Sequence, residues 1–167
     1  ITPSLAKVLL NEHKWKTNDI LQMYRDNATS ILVSSKIKSG NNSGGGKKAI
    51  TSTIICPVCI QSQPSDKFQN LTCTHSFCKS CWSMHFEIQV SQGISTQIQC
   101  MAPACDVLVP EDLVISLISR PQIRDKYQHL AFQDYVKSVP ELRFCPGANC
   151  QVIIQSHDLS PKKASCK

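Results

Sequence analysis

Aromatic side chains are scarce in this sequence, at 6% of 167 residues, and hydrophobic residues reach 41%. Such a chain cannot build a large core, and small modules of that kind are held by disulfides, metal or a partner. Long apolar runs are also missing. The longest, Leu113 to Ile118, is interrupted by Ser116 and falls far short of the ~18 residues of a membrane-spanning helix. The Lys and Arg residues are dispersed, so no stripe suited to nucleic acid is evident. No signal peptide is visible at Ile1, and residues 1–55 contain no cysteine. Membrane insertion, nucleic-acid binding and an evenly stapled secreted scaffold are thereby disfavoured.

What the chain does have is cysteine, ten in all, with seven between positions 56 and 105 around His75. The run reads Cys56-x2-Cys59-x13-Cys73-x1-His75-x2-Cys78-x2-Cys81-x18-Cys100-x4-Cys105. Cys-x2-Cys pairs make poor disulfides and natural zinc knuckles, and His75 has no part in a disulfide framework. Zinc in a reducing compartment, cytoplasm or nucleus, is the expectation. The sequons at Asn27, Asn41 and Asn70 then carry no sugar. A structural zinc takes four N/S ligands, so eight ligands mean two sites. Spacing leaves two pairings open. Sequential pairing joins Cys56/Cys59 with Cys73/His75; interleaved pairing joins Cys56/Cys59 with Cys78/Cys81, and Cys73/His75 with Cys100/Cys105. Two such sites would lower the formal charge of +6 to about +3.

Around this run the chain divides readily. Residues 2–37 predict three short helices: one opened by Thr2-Pro3 with Leu5, Val8 and Leu9 inward and ended by Trp15; one capped by Thr17 with Ile20, Leu21 and Tyr24 inward; one started by Asp26 or Asn27 with Ala28, Ile31 and Leu32 inward. A Gly/Ser/Asn-rich linker follows, within residues 38–53. In the cysteine module, Trp82, Phe86 and Val90 at i, i+4, i+8 predict a helix from Cys78 to Val90, with Gly93 beyond it. Ile94 to Gln99 alternates like a strand. Pro110-Glu111-Asp112 opens a helix with Leu113, Val114, Leu117 and Ile118 on its face. Pro121 opens a longer one with Ile123, Tyr127 and Leu130 on one side, closed by Pro140. The fold class is therefore small α+β, stabilised by zinc.

The order and spacing of the eight ligands resemble a RING finger, above all Cys73-x1-His75-x2-Cys78-x2-Cys81. The stretches LTCTHSFCKSCW, QCMAPACDVLVPEDL, DKYQHL and FCPGANC, with ITPSLAKVLL and ILQMYRDN before them, resemble the RING-between-RING ubiquitin ligases of the ariadne subfamily, second type. The resemblance implies a ubiquitin-associated-like (UBA-like) bundle over 1–37, the linker 38–53, a first RING over 54–106, linking helices over 107–140, and the start of an in-between-RING domain over 141–167. It implies interleaved, cross-braced zincs. Cys145, Cys150 and Cys166 match three ligands of a third site, for which His157 is a weak substitute fourth ligand.

The same resemblance implies that the RING recruits a ubiquitin-loaded conjugating enzyme, with Val58, Ile60 and Pro103 by position forming the docking surface. Trp82 is expected to pack the RING helix rather than dock. Asp106 stands where many one-step RING ligases carry an arginine that donates hydrogen bonds to ubiquitin, and an aspartate cannot donate. That fits transfer through a ligase cysteine in a second RING, which lies outside these residues together with an ariadne domain. No catalytic residue is expected within this chain. The bundle is expected to meet a neddylated cullin or to act in intramolecular control, and the long helix to help hold ubiquitin or to serve only as a spacer.

Other classes fit less well. A zinc-dependent adaptor without catalysis is the second reading. A histone-tail reader lacks its late histidine and aromatic cage. His85-Phe86-Glu87 mimics a deaminase element, but the required Pro-Cys-x-x-Cys does not follow, and closed four-ligand sites leave no place for an activated water.

Overall fold

The computed structural model describes residues 3–38 and 53–156. Most of the linker, Thr2, His157 and Cys166 lie outside them.

The N-terminal region is helical: α1 (Pro3–Glu12) and α2 (Thr17–Ser34). Asn27 in α2 is extended (φ −157°, ψ 90°) and divides it into two pieces. The Asn27 side-chain oxygen accepts from the Ser30 N–H at 3.0 Å, the N-cap bond that starts the second piece. Of the two expected starting residues, Asn27 is thus the one that caps. Leu9, Ile20, Ile31 and Ile37 form a small core, with Leu5, Val8, Leu10 and Leu32 against it. Leu21 and Tyr24, expected inward, are exposed at 53% and 37%. So small a bundle buries one narrow stripe per helix, and Ile20 occupies it.

Three helices close with the same turn. The N–H of Trp15 reaches Leu10 O, that of Ile37 reaches Leu32 O, and that of Ile94 reaches Gln89 O, each five residues back. Lys14 (φ 51°), Lys36 (φ 56°) and Gly93 (φ 90°) are the left-handed residues these caps require. Only the last is glycine. Lys36→Gly is expected to raise stability by about 0.5–1 kcal/mol, and Lys36→Val to lower it by about 1–2 kcal/mol, read from denaturant midpoints.

The cysteine module is built from two-stranded antiparallel ribbons. β1 (Thr53–Ile55) pairs with β2 (Ser62–Pro64), and β3 (Phe68–Asn70) with β4 (Ser76–Cys78). A single 3-10 turn (Ser65–Lys67) joins them. α3 (Lys79–Ser91) follows β4 directly and carries Trp82, Phe86 and Val90, all without exposure. The strand expected over Ile94–Gln99 does not form. Only an isolated bridge, Gln99 to Leu108, is present, with Cys100 N–H to Val107 O and Val109 N–H to Ile98 O. The Ser95 and Thr96 hydroxyls donate instead to Asp134, at 2.5 and 3.1 Å, and hold this segment as turns.

α4 (Glu111–Leu117) and α5 (Pro121–Ser138) complete the packing around α3. Val107, Val109, Val114, Ile118, Tyr127 and Ala131 join the α3 residues in one core. β5 (Leu142–Phe144) and β6 (Ile153–Gln155) form a third ribbon after α5. No helix among the described residues is long and apolar enough to cross a membrane.

Candidate metal centre

Each ligand pair belongs to a tight backbone turn. Cys56 and Cys59 lie between β1 and β2, Cys73 and His75 between β3 and β4, and Cys100 and Cys105 inside the Gln99–Leu108 bridge. Cys78 ends β4, and Cys81 lies in the first turn of α3. The Ile60 N–H donates to Cys56 O at 2.8 Å, and the Cys56 N–H to Gln61 O at 3.0 Å. Ile60 (φ 60°), Thr74 (φ 64°) and Ala104 (φ 57°), each next to a ligand residue, are left-handed. Tight turns of this kind aim two side chains at one point and cost backbone strain to hold.

Two clusters result. The ligand atoms of Cys56, Cys59, Cys78 and Cys81 all lie within 4.8 Å of one another, as do those of Cys73, His75, Cys100 and Cys105. The Cys56–Cys81 sulfurs are 3.9 Å apart, Cys59–Cys78 3.8 Å and Cys73–Cys100 3.7 Å, and Cys100 Sγ lies 3.7 Å from His75 Nδ1. Sulfurs at about 2.3 Å from a tetrahedral zinc are about 3.8 Å from each other, whereas a disulfide needs about 2.0 Å. These spacings fit zinc and exclude disulfides at these pairs. Of the two pairings that spacing left open, the interleaved one is the arrangement of this fold.

The electrostatics of the thiols agree. Burial pushes Cys81 up, and the neighbouring thiols Cys78, Cys59 and Cys56 push it further. Cys100 rises to about 12, first through burial and then through Cys73 and Cys105. Cys56 moves the other way, to about 6: burial raises it, but hydrogen bonds led by the Cys78, Cys59 and Val58 backbones outweigh that. Crowded thiols resist joint ionisation unless a cation compensates them, so the donor set calls for a metal.

The other candidates separate by exposure. Val58 is 52% exposed and Ile60 79%, and Pro103 is exposed as well. None is spent on packing its own turn. Ile54 and Ile55 in β1, just before Cys56, are also exposed apolar residues, at 38% and 64%, and sequence reasoning passed them over. Their alternation with β2 partners was hidden in a run too short to read as a strand. Asp106 is exposed beside Cys105. Trp82 is wholly buried, stacked on Phe86 at 5.3 Å, with its N–H on Gln69 O at 3.0 Å. His85 Nε2 bonds Gln99 O at 3.0 Å, which makes it a structural tie and removes the deaminase likeness.

Cys145 and Cys150 occupy the loop of the β5–β6 ribbon. The Gly147 N–H points at Cys145 Sγ at 3.4 Å, much as the Ala102 N–H points at Cys100 Sγ at 3.5 Å. A Cβ added at Gly147 would touch Cys145 Sγ and Cys150 Cβ at 3.5 Å, so the turn closes tightly on both. Two ligands of the expected third site thus share one ribbon loop, while Cys166 and His157 lie outside the described residues.

Comparison with known proteins agrees with this architecture. Residues 1–35 match the family model "E3 ubiquitin-protein ligase ARIH2, N-terminal UBA domain". Residues 125–167 match "IBR domain, a half RING-finger domain", a match that begins within α5. The chain is 33% identical to the mouse E3 ubiquitin-protein ligase ARIH2, over 99% of this chain and 33% of the relative. It is 32% identical to the potential E3 ubiquitin-protein ligase ariadne-2 of Caenorhabditis elegans, over 99% and 35%. It is 30% identical to the Drosophila melanogaster E3 ubiquitin-protein ligase ariadne-1, over 99% and 34%. The chain spans about a third of the length of these relatives. With a UBA match at one end, an IBR match at the other and clusters able to hold zinc between them, the chain is similar over nearly its whole length to ariadne-type E3 ubiquitin-protein ligases.

Proposed function

We propose that this chain is the conjugating-enzyme-recruiting part of a RING-between-RING ubiquitin-protein ligase, a ubiquitin transferase. Residues 54–106 act as the first RING, with one zinc on Cys56, Cys59, Cys78 and Cys81 and a second on Cys73, His75, Cys100 and Cys105. Residues 1–37 are the UBA-like bundle, 107–140 the linking helices and 141–167 in-between-RING sequence, where Cys145, Cys150 and Cys166 contribute to a third zinc. The observation that carries the reading is the exposure of Ile60, 79%, at φ 60°. A β-branched residue in a left-handed turn pays strain, and leaving it in water adds to that, which is how a docking residue is kept rather than a core residue.

The zincs supply fixed turns and no chemistry, since closed four-ligand sites leave no position for substrate. Val58, Ile60 and Pro103 on the two metal-held loops dock the conjugating enzyme. Asp106, unable to donate a hydrogen bond to ubiquitin, leaves the thioester open to attack by a cysteine of the second RING in the family's architecture. Such chemistry belongs to a reducing compartment, the cytoplasm or nucleus. Ubiquitin is the cargo, and a neddylated cullin is a further partner for the bundle.

Binding of a ubiquitin-loaded conjugating enzyme tests this. Ile60→Ala is expected to weaken binding roughly 10- to 30-fold, the range of a central apolar anchor, with zinc content unchanged. No ubiquitin thioester should form on this chain. Unaltered binding by Ile60→Ala together with Val58→Ala would overturn the docking surface, and a thioester on the chain would overturn the assignment of the nucleophile elsewhere. Binding by this chain without any stimulation of ubiquitin transfer by a full-length ariadne relative carrying this segment in place of its own would favour the adaptor reading.

A further inference from the structure

The first part of α5 is anchored in the main core by Ile123, Tyr127, Leu130 and Ala131, and nothing of α5 beyond Ala131 enters that core among the described residues. Asp134 is tied to the Ser95–Thr96 turn. The last turn of α5 meets a different neighbour, the N-terminal bundle. Trp15 donates its indole N–H to Ser138 Oγ at 2.9 Å and sets its ring edge-on to Tyr135, with centroids 5.1 Å apart at 85°. The Ser138 hydroxyl has Asn11 Oδ1 at 3.1 Å and Tyr135 O at 2.8 Å as acceptors. β5 begins four residues after Ser138, and the Leu142 N–H bonds back to Val139 O.

The bundle is itself fixed on the metal module. Lys7 pairs with Glu111 in the first turn of α4 at 2.7 Å. The Leu108 N–H bonds Lys36 O at 2.8 Å, and the Thr72 hydroxyl bonds Ile37 O. The chain therefore returns to the metal module before the linker begins, and the bundle bridges that module and the end of α5. Backbone geometry adds a separate observation. The cap closing α1 needs one left-handed residue, and Lys14 supplies it, yet Trp15 is left-handed too, at φ 62°. Such a conformation in a bulky residue persists where surrounding contacts hold it, and the Trp15 side chain is held by Ser138 and Tyr135 of α5.

We propose that the N-terminal bundle is a brace whose pin is Trp15, fixing the direction of the last turn of α5 and of the β5–β6 ribbon relative to α3. Trp15 is a positioning residue: it touches neither ligand cluster, and acts by setting where the Cys145–Cys150 loop stands from the docking loops.

The test uses the full zinc-loaded chain. Amide hydrogen exchange is measured alongside the distance distribution between labels at the exposed Gln92 and Gln151, introduced as noncanonical amino acids because cysteine labels would compete with zinc. Trp15→Ala is expected to speed exchange at least 10-fold over residues 135–144 and in the ribbon, leave residues 82–90 of α3 unchanged, and broaden the label distribution. Ser138→Ala, outside the bundle, should shift both in the same direction by a smaller amount, and it keeps the test intact if Trp15→Ala unfolds the bundle. A label distribution as narrow in both variants as in the parent chain, or exchange that rises equally in α3, overturns the brace.

Discussion

Removing zinc is expected to unfold residues 53–109 and to leave only residual helix. A structural zinc of this type contributes about 10–16 kcal/mol, as much as the whole stability of an ordinary domain or more. The apolar core here could not replace it, since it centres on one thirteen-residue helix, and four of its buried members, Cys56, Cys73, Cys78 and Cys100, belong to the two candidate metal clusters. Each cluster also ties segments far apart in the chain, Cys56 to Cys81 and Cys73 to Cys105, so loss of one removes half of the other's framework. Cys56→Ser and Cys73→Ser should therefore each abolish the cooperative melt, rather than half of it.

Alkylation mapping separates the two pairings in the same experiment. In the parent chain under limiting chelator, Cys73 should become reactive together with Cys100 and Cys105, its cluster partners. Reaction of Cys73 together with Cys56 and Cys59 would instead mean the sequential pairing. Acid should act like chelation, with a definite sign. Zinc holds its ligands as thiolates, so the metal-bound fold carries fewer protons than the unfolded chain, and its stability is present at neutral pH and lost as pH falls. Without metal, Cys81 and Cys100 are pushed up by burial and retain their protons, so zinc uptake near neutrality should release protons measurable in weak buffer.

Trp82→Ala is expected to cost about 3–5 kcal/mol even with zinc saturating, enough to unfold a marginal module at 37 °C. The indole has no exposure, stacks on Phe86 at 5.3 Å and meets Phe77 edge-on at 5.5 Å. Its N–H also satisfies Gln69 O, the β3 carbonyl at 3.0 Å, so truncation leaves both a cavity and an orphaned acceptor worth about 1 kcal/mol more. Trp82→Phe should recover most of the packing and lose the hydrogen bond. Met84, two residues on and 66% exposed, is the control: Met84→Ala should stay within about 0.5 kcal/mol. Denaturant titration at fixed free zinc reads all three. Because Trp82 faces the core, Trp82→Phe should leave the proposed conjugating-enzyme binding unchanged, and weakened binding by that folded variant would count against a purely structural role.

The helices were legible because each carries a long enough period and punctuation. Trp82, Phe86 and Val90 mark one face of α3, Pro121 opens α5, and Gly93 closes α3. The ribbons were not legible. β1 to β6 are three residues each, too short for an alternation to register, and they exist because the ligand turns between them are pinned. Ile94–Gln99 shows the opposite error: an alternation that reads as a strand was overridden by two hydroxyls finding Asp134 on a helix some 40 residues on.

The sequence by itself marked eight residues of zinc-ligand type, because metal chemistry is selective in residue type and knuckle spacing is local, and the structure gathers those eight into two clusters able to hold a metal. The sequence likewise marked the helices. Tertiary structure alone decided which pairs among the eight come together, since pairing is a matter of where distant turns arrive in space. It also decided that Val58 and Ile60 face water, and that Trp15, which in sequence only ends a helix, reaches over to Ser138 and Tyr135. A contact across 123 residues leaves no local pattern, because its partner is supplied by the fold and not by the neighbouring chain.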